Sequence, residues 1–309
     1  MGPAWFATRE FRDYYSGIVS GSPVTSQQPI FVKRIAILTG SELRHTFFRK
    51  AVALAPGIEV ACAYCEGLER SLESVVAATS DESQRRQAHV SARAQSEEDF
   101  FAAFVACAPD RSQPVHLPKG AINEPRRCAE LQERNVELLA AYGCSLLREP
   151  LLSAFRQRML NVHLGLSPYY RGSGTNFWAL VNGEPEYVGA TFMWLDAGID
   201  TGEIVHQIRA RVFPGDTPHQ IGNRLIADMT LEYIELIRAV DDLRPMPQPP
   251  APGDSSRLYL RKQFSEEATA RLYEAFAGGL VERYLREQDE RTVRVPLVVN
   301  PAVRRMDRT

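Results

Sequence analysis

Long apolar runs are missing from this 309-residue chain. No stretch approaches the ~20 residues that a membrane-spanning helix needs. Excess charge of one sign is missing as well. Lys plus Arg number 36 and Asp plus Glu 38, a formal net charge of −2. The chain therefore offers no bulk electrostatic handle for nucleic acid or an anionic membrane, although a local basic patch is allowed. Cysteine is scarce: Cys62, Cys65, Cys107, Cys128 and Cys144 make five, an odd and sparse set for a disulfide framework. Cys62 and Cys65 form one C-x-x-C, but it falls in an expected strand with no second pair or nearby His. Two packed thiols fit that better than zinc or redox chemistry.

Several motifs are absent too. The first strand ends TGSELR, without the G-x-G-x-x-G of a dinucleotide fingerprint. There is no G-x-x-x-x-G-K-[ST], no G-x-S-x-G and no H-E-x-x-H. The opening MGPAWFATREFRDYYSG carries charges where a signal peptide has its apolar core. A cytoplasmic protein is expected. What is present is ordinary globular composition, 44% hydrophobic and 24% charged, which excludes disordered, collagen-like and coiled-coil chains.

The order of elements is that of a parallel α/β sheet. Residues 1–30 are polar and irregular, an N-terminal arm. A β-branched run at 31–39 predicts a strand. Leu43, Phe47, Ala51 and Leu54 then recur at helical spacing, with Ser41 placed to cap. Residues 58–63 predict a second strand. Ser96-Glu97-Glu98-Asp99 has the form of a helix start before the apolar 100–105. Residues 136–142 and 159–163 predict buried strands. Residues 187–195 and 204–213 predict an antiparallel pair joined by a functional loop. Asp216-Thr217-Pro218 starts a helix with a stripe of Ile221, Leu225, Met229, Ile234 and Ile237. Prolines 245, 247, 249, 250 and 252 mark a stiff linker. The expected division is arm 1–30, main α/β domain 31–243, Pro-rich linker 244–256 and a small helical C-terminal appendage 257–309. That last piece is too short for an independent core unless it docks.

Candidate chemistry concentrates in 159–207. Asn161 and His163 stand two apart on a strand, so both side chains point to one face. Asp200 lies in the Gly-rich AGIDTG between two strands. The loop 165–174 holds Ser, Pro, two Tyr and Arg, the composition of a rigid pocket-shaping loop. His45, His89, His116 and His219 stand alone in sequence and are read as surface or satisfied histidines. Phe177 and Trp178 are read as packing.

Asn-x-His, a Pro-containing loop, Arg-Gly and Asp-Thr-Gly, in that order and spacing, resemble the 10-formyltetrahydrofolate-dependent formyltransferases. That group includes methionyl-tRNA formyltransferase, glycinamide ribonucleotide transformylase and nucleotide-sugar N-formyltransferases. The resemblance is dense over 142–207 and extends over 31–141 in element order only. It implies a Rossmann-like open, mostly parallel sheet, with Asn161, His163 and Asp200 as catalytic residues. It also implies a pterin slot between Ser145-Leu146-Leu147 and Gly198-Ile199. Gly165-Leu166-Ser167-Pro168 departs from the family's serine-leucine-leucine-proline. The implied reaction is attack of an amine on the formyl carbon of 10-formyltetrahydrofolate through a tetrahedral oxyanion, with no metal. The short helical segment after the linker favours a small acceptor, an amino-sugar nucleotide or amino acid-like amine, over tRNA. Nucleic acid and membrane partners are not expected, and a homodimer is left open. The helix start at 40–44 could dock an anion of the acceptor, with Ser41 and Arg44. Otherwise Tyr170, Arg171 and Asn176 would hold it. The alternatives are a 10-formyltetrahydrofolate hydrolase or a silent ligand-binding relative, the latter disfavoured by the intact Asn161, His163, Asp200 set.

Overall fold

Alternation along each strand sends successive side chains to opposite faces, and two hydrophobic layers result. The computed structural model describes residues 32–67, 84–250 and 257–303; the N-terminal arm and part of the linker lie outside them. β1 (Lys33–Thr39), β2 (Ile58–Glu66), β3 (Pro114–Leu117), β4 (Leu138–Tyr142) and β5 (Met159–His163) are mutually parallel. β7 (Gly189–Trp194) runs antiparallel to β5, and β8 (Ile204–Arg209) antiparallel to β7. The sheet order is β3-β2-β1-β4-β5-β7-β8. Chain order reverses between β1 and β4, the switch point at whose carboxyl edge open α/β sheets bind ligands.

Ile35 and Ile37 of β1, with Leu138 and Ala140 of β4, join one core; Ala36, Leu38, Leu139 and Ala141 join the other. The first face is covered by α1 (Leu43–Leu54), α2 (Gln84–Cys107) and α6 (Pro218–Arg238), through Phe47, Phe48, Phe101, Ile221, Leu225 and Met229. The second is covered by α3 (Pro125–Glu133) and the short α4 (Leu151–Ala154), through Cys128, Leu131 and Leu151. α6 begins as its sequence dictates. Thr217 accepts from the Gln220 N–H and Gln220 reaches back to Thr217 N, with Pro218 in the first turn. From mid-helix, the Tyr233 hydroxyl enters the sheet. It accepts from Ala141 N at 3.0 Å and donates to Leu160 O, joining β4 to β5 just below Asn161.

Two expectations are corrected. Ser41 does not cap α1: Glu42 is the N-cap, and the Ser41 hydroxyl donates to Glu66 O at 2.6 Å. No helix starts at Ser96, which lies inside the 24-residue α2. Ser96 and Glu97 are buried there; Ser96 accepts from the Asn223 carboxamide at 2.9 Å, and Glu97 takes Arg44 at 2.6 Å. The C-terminal stretch, too short for a core of its own, is docked on the main domain. Ala268 and Leu272 of α7 (Glu266–Ala277), with Leu280, Val281 and Tyr284 of α8 (Leu280–Val293), belong to the principal core. Two other segments of the chain form a separate short parallel pair, β6 (Tyr170–Gly172) and β9 (Arg257–Tyr259). Among the described residues, no helix is long and apolar enough to cross a membrane.

Candidate active site

β5 supplies both members of its polar pair at the carboxyl edge of the sheet. Asn161 stands opposite Ala141 of β4 and Met193 of β7, and His163 stands opposite Thr191. The loop from β7 to β8 returns over this edge and brings Asp200 to it. Asp200 Oδ2 lies 3.3 Å from His163 Nδ1 and accepts from Gly172 N at 2.8 Å. On the other side of the ring, His163 Nε2 lies 3.0 Å from Tyr170 O and 3.4 Å from Thr175 Oγ1. A carbonyl oxygen can only accept, so Nε2 carries a proton and Nδ1 is the atom that faces Asp200. The Asn161 carboxamide has no hydrogen-bond partner among the described residues, and it faces the same cavity as His163 and Asp200.

That cavity is about 540 Å³, within the range that small-molecule sites occupy. One wall, from α1 and α2, is charged. Arg44 is shared by Glu97 at 2.6 Å and Glu42 at 3.2 Å, and Arg93 meets Glu97 at 3.1 Å. Burial would raise the Glu97 carboxyl, but Arg44 and Arg93 outweigh it and hold it below the usual range. His45 pairs with Glu42 behind Gly143. Gly143 has φ +68°, and a Cβ there would stand 2.1 Å from His45 Nε2, so the turn after β4 needs glycine on two counts.

The other lining is largely aromatic, with Arg261 near Phe264. His89 and His219 lie 4.6 Å apart between ring centroids, His89 lies 5.3 Å from Phe177, and Phe177 lies 5.2 Å from Phe264. Burial pushes His89 down to about 3 and His219 down to about 4, so both rings stay neutral near pH 7. Cys144 also borders the cavity; burial and Glu66 push its thiol up to about 12, so it is not a nucleophile.

The sequence-predicted site thus divides. Asn161, His163 and Asp200 come together, and Gly40, Arg44 and Asn176 line the same cavity. Arg44 has carboxylates on both sides, so it is no lone anion receptor. Asn176 spends its carboxamide on Gly189 N and O, at 3.1 and 3.2 Å. Tyr170 is buried, with its hydroxyl on Glu184 and Asn182. Ser41, Tyr170 and Arg171 are not among the cavity's lining residues. Neither are Leu146, Leu147, Gly198 and Ile199. Leu147 is buried in the second core, while Leu146 and Ile199 are 45% and 43% exposed. Sequence reading missed His89, Arg93, Glu97, His219 and Phe264. Their only signal is spatial, since they come from three segments far apart in the chain.

An open α/β sheet with a polar triad and a deep cleft at its carboxyl switch point defines the class. The family follows from comparison. The "Formyl transferase" family model matches residues 70–239, more than half of the chain, and the chain belongs to that family. Methionyl-tRNA formyltransferase from Desulforamulus reducens is 35% identical over 121 residues, 39% of this chain and 38% of that protein. The enzyme of the same name from Caldanaerobacter subterraneus subsp. tengcongensis is 32% identical over 158 residues, 50% of this chain and 46% of that one. The chain thus spans half or less of the length of these curated relatives. Among solved structures, phosphoribosylglycinamide formyltransferase from Anaplasma phagocytophilum aligns over 74% of this chain and 98% of its own, with 16% identity and a TM-score of 0.49.

Proposed function

We propose that the chain transfers a formyl group from 10-formyltetrahydrofolate to the amine of a small acceptor. The observation that carries this reading is the convergence of Asn161, His163 and Asp200 on one cavity, with His163 Nδ1 and Asp200 Oδ2 3.3 Å apart. The acceptor nitrogen attacks the formyl carbon, a C–N bond forms, and the carbonyl oxygen becomes an oxyanion. Asn161, whose carboxamide has no partner among the described residues, donates to that oxygen. Collapse breaks the bond to N10. The proton lost by the acceptor amine passes through the His163–Asp200 pair to N10, so no net proton is consumed. The donor's pterin is assigned to the slot between Leu146-Leu147 and Gly198-Ile199, and the acceptor to the end lined by His89, His219 and Phe264.

Incubation with 10-formyltetrahydrofolate and a panel of amines should give a product heavier by one CO, about 28 mass units. Asn161→Ala, His163→Ala and Asp200→Ala should each lower that rate by ~10²–10⁴ without loss of fold. A variant at any one position that turns over like the parent removes that residue from the chemistry. The relatives' name favours a second reading, methionyl-tRNA as acceptor. The same assay decides it: formylation of charged tRNA with no small amine modified would replace the small-acceptor reading.

A further inference from the structure

His163 and Asp200 are joined through a strand of only three residues. Within β6, Tyr170 O takes the His163 Nε2 proton at 3.0 Å and Gly172 N donates to Asp200 Oδ2 at 2.8 Å. So short a strand has no stability of its own; its partner is β9, from the segment beyond the Pro-rich stretch. The pairing sets Tyr170 against Arg257, Arg171 against Leu258 and Gly172 against Tyr259. Arg257 N donates to Tyr169 O at 2.9 Å, and Ser173 N to Tyr259 O at 2.8 Å. The approach is close enough that a Cβ on Gly172, which has φ +93°, would stand 2.1 Å from Tyr259 O.

β9 is itself anchored. Arg257 holds Glu184 with both terminal nitrogens, at 2.5 and 3.1 Å, and reaches the Tyr170 hydroxyl. The Tyr259 ring stacks on Trp178 at 4.6 Å, and its hydroxyl accepts from Asn182 at 2.9 Å. The other arm of the pair is held from the same part of the chain. Gln248 donates to Asp200 O at 2.8 Å and to Gly202 O at 2.9 Å. Asp200 sits at φ +52°, a conformation that persists where its surroundings over-determine it.

We propose that the stretches 246–250 and 257–259 form a strap that sets the distance between His163 and Asp200, with Gln248, Arg257 and Tyr259 as positioning residues. The proposal rests on the preceding reading only in treating His163 and Asp200 as a working pair. Gln248 fixes the backbone that carries Asp200. β9 fixes the two backbone groups of β6 that orient the ring and the carboxylate. A displacement of about 1 Å at such a pair can lower a rate by ~10²-fold, so the strap governs turnover without touching substrate.

The full-length chain, labelled with ¹⁵N-histidine, tests this. His163→Gln assigns the His163 imidazole signals. Gln248→Met and Arg257→Met should each move those signals, leave the His45 and His116 signals in place, and lower formyl-transfer kcat by ~10–10²-fold. Unmoved His163 signals in both variants, with a lowered melting temperature, would mean that the segment only supports the fold, and would overturn the proposal. Should Arg257→Met not fold, Gln248→Met decides alone, since Gln248 is only half-buried and outside the core. Should the parent chain transfer no formyl group at all, the functional reading fails, while shifted His163 signals still support the strap.

Discussion

His89 and His219 share one hydroxyl, that of Tyr273, at 3.1 and 3.3 Å, and are 6% and 9% exposed. A single hydroxyl can donate to one ring and accept from the other, so the two neutral histidines are satisfied as a set. Burial first, then His219 and Arg93, pushes His89 down to about 3; burial first, then Arg93, pushes His219 down to about 4, with Glu97 opposing. Unfolding returns both rings to the ordinary value near 6.5. Between those values the unfolded chain binds protons that the folded chain does not. Stability from this source is therefore complete above ~pH 7 and declines as the pH falls through 6.5 toward 4. The slope approaches about 1.4 kcal/mol per pH unit for each ring. Urea midpoints measured from pH 7.5 to 5 should fall, and His219→Gln should flatten the curve. A curve of the same slope in the variant would assign the acid sensitivity to other groups.

Elements governed by local rules were legible in the sequence. The apolar strand runs, the Thr217-Pro218 start of α6 and the β7–β8 pair required only neighbours in the chain. Asn161 and His163 were legible for the same reason, because strand alternation alone puts them on one face. Misreadings arose where the deciding partner is distant. Ser96-Glu97 mimics a cap, yet its polarity answers Asn223 and Arg44 across the α2 packing face. Ser41 mimics a cap and is taken by the end of β2. The β6–β9 pairing joins Tyr170 to Arg257, and a three-residue strand carries no periodicity to announce it. The same holds for α8, whose sequence is dominated by charge apart from Leu280, Val281 and Tyr284, all buried. Leu280→Ala should cost about 2–5 kcal/mol, the cost of a core leucine. A change within ~0.5 kcal/mol, measured by urea unfolding, would mean that α8 lies loosely on the surface.

At the scale of the whole molecule, the competing pictures are one cooperative unit and a main domain with a tethered tail. The Pro-rich composition of 244–252 suggests the second, but the contacts made on either side of it favour the first. Met246 bridges Ile204 through two backbone hydrogen bonds of 2.8 Å. Val298 N and Asn300 N donate to Gln207 and His206 of β8 at 3.1 Å each. α7 and α8 fill the same core as α1 and α6. A tail that supplies core side chains, a strand beside the His163–Asp200 pair and cover for the last sheet strand has no separate free energy to lose. Trp178 offers a local probe, since it stacks on Tyr259. In a chain carrying Trp5→Phe and Trp194→Phe, Trp178 fluorescence reports the C-terminal contact, while far-UV circular dichroism reports the sheet and helices together. The two urea curves should coincide. A fluorescence transition that precedes the circular dichroism transition would show the C-terminal segment leaving first, and a cleft that opens at His163 and Asp200 before the sheet unfolds.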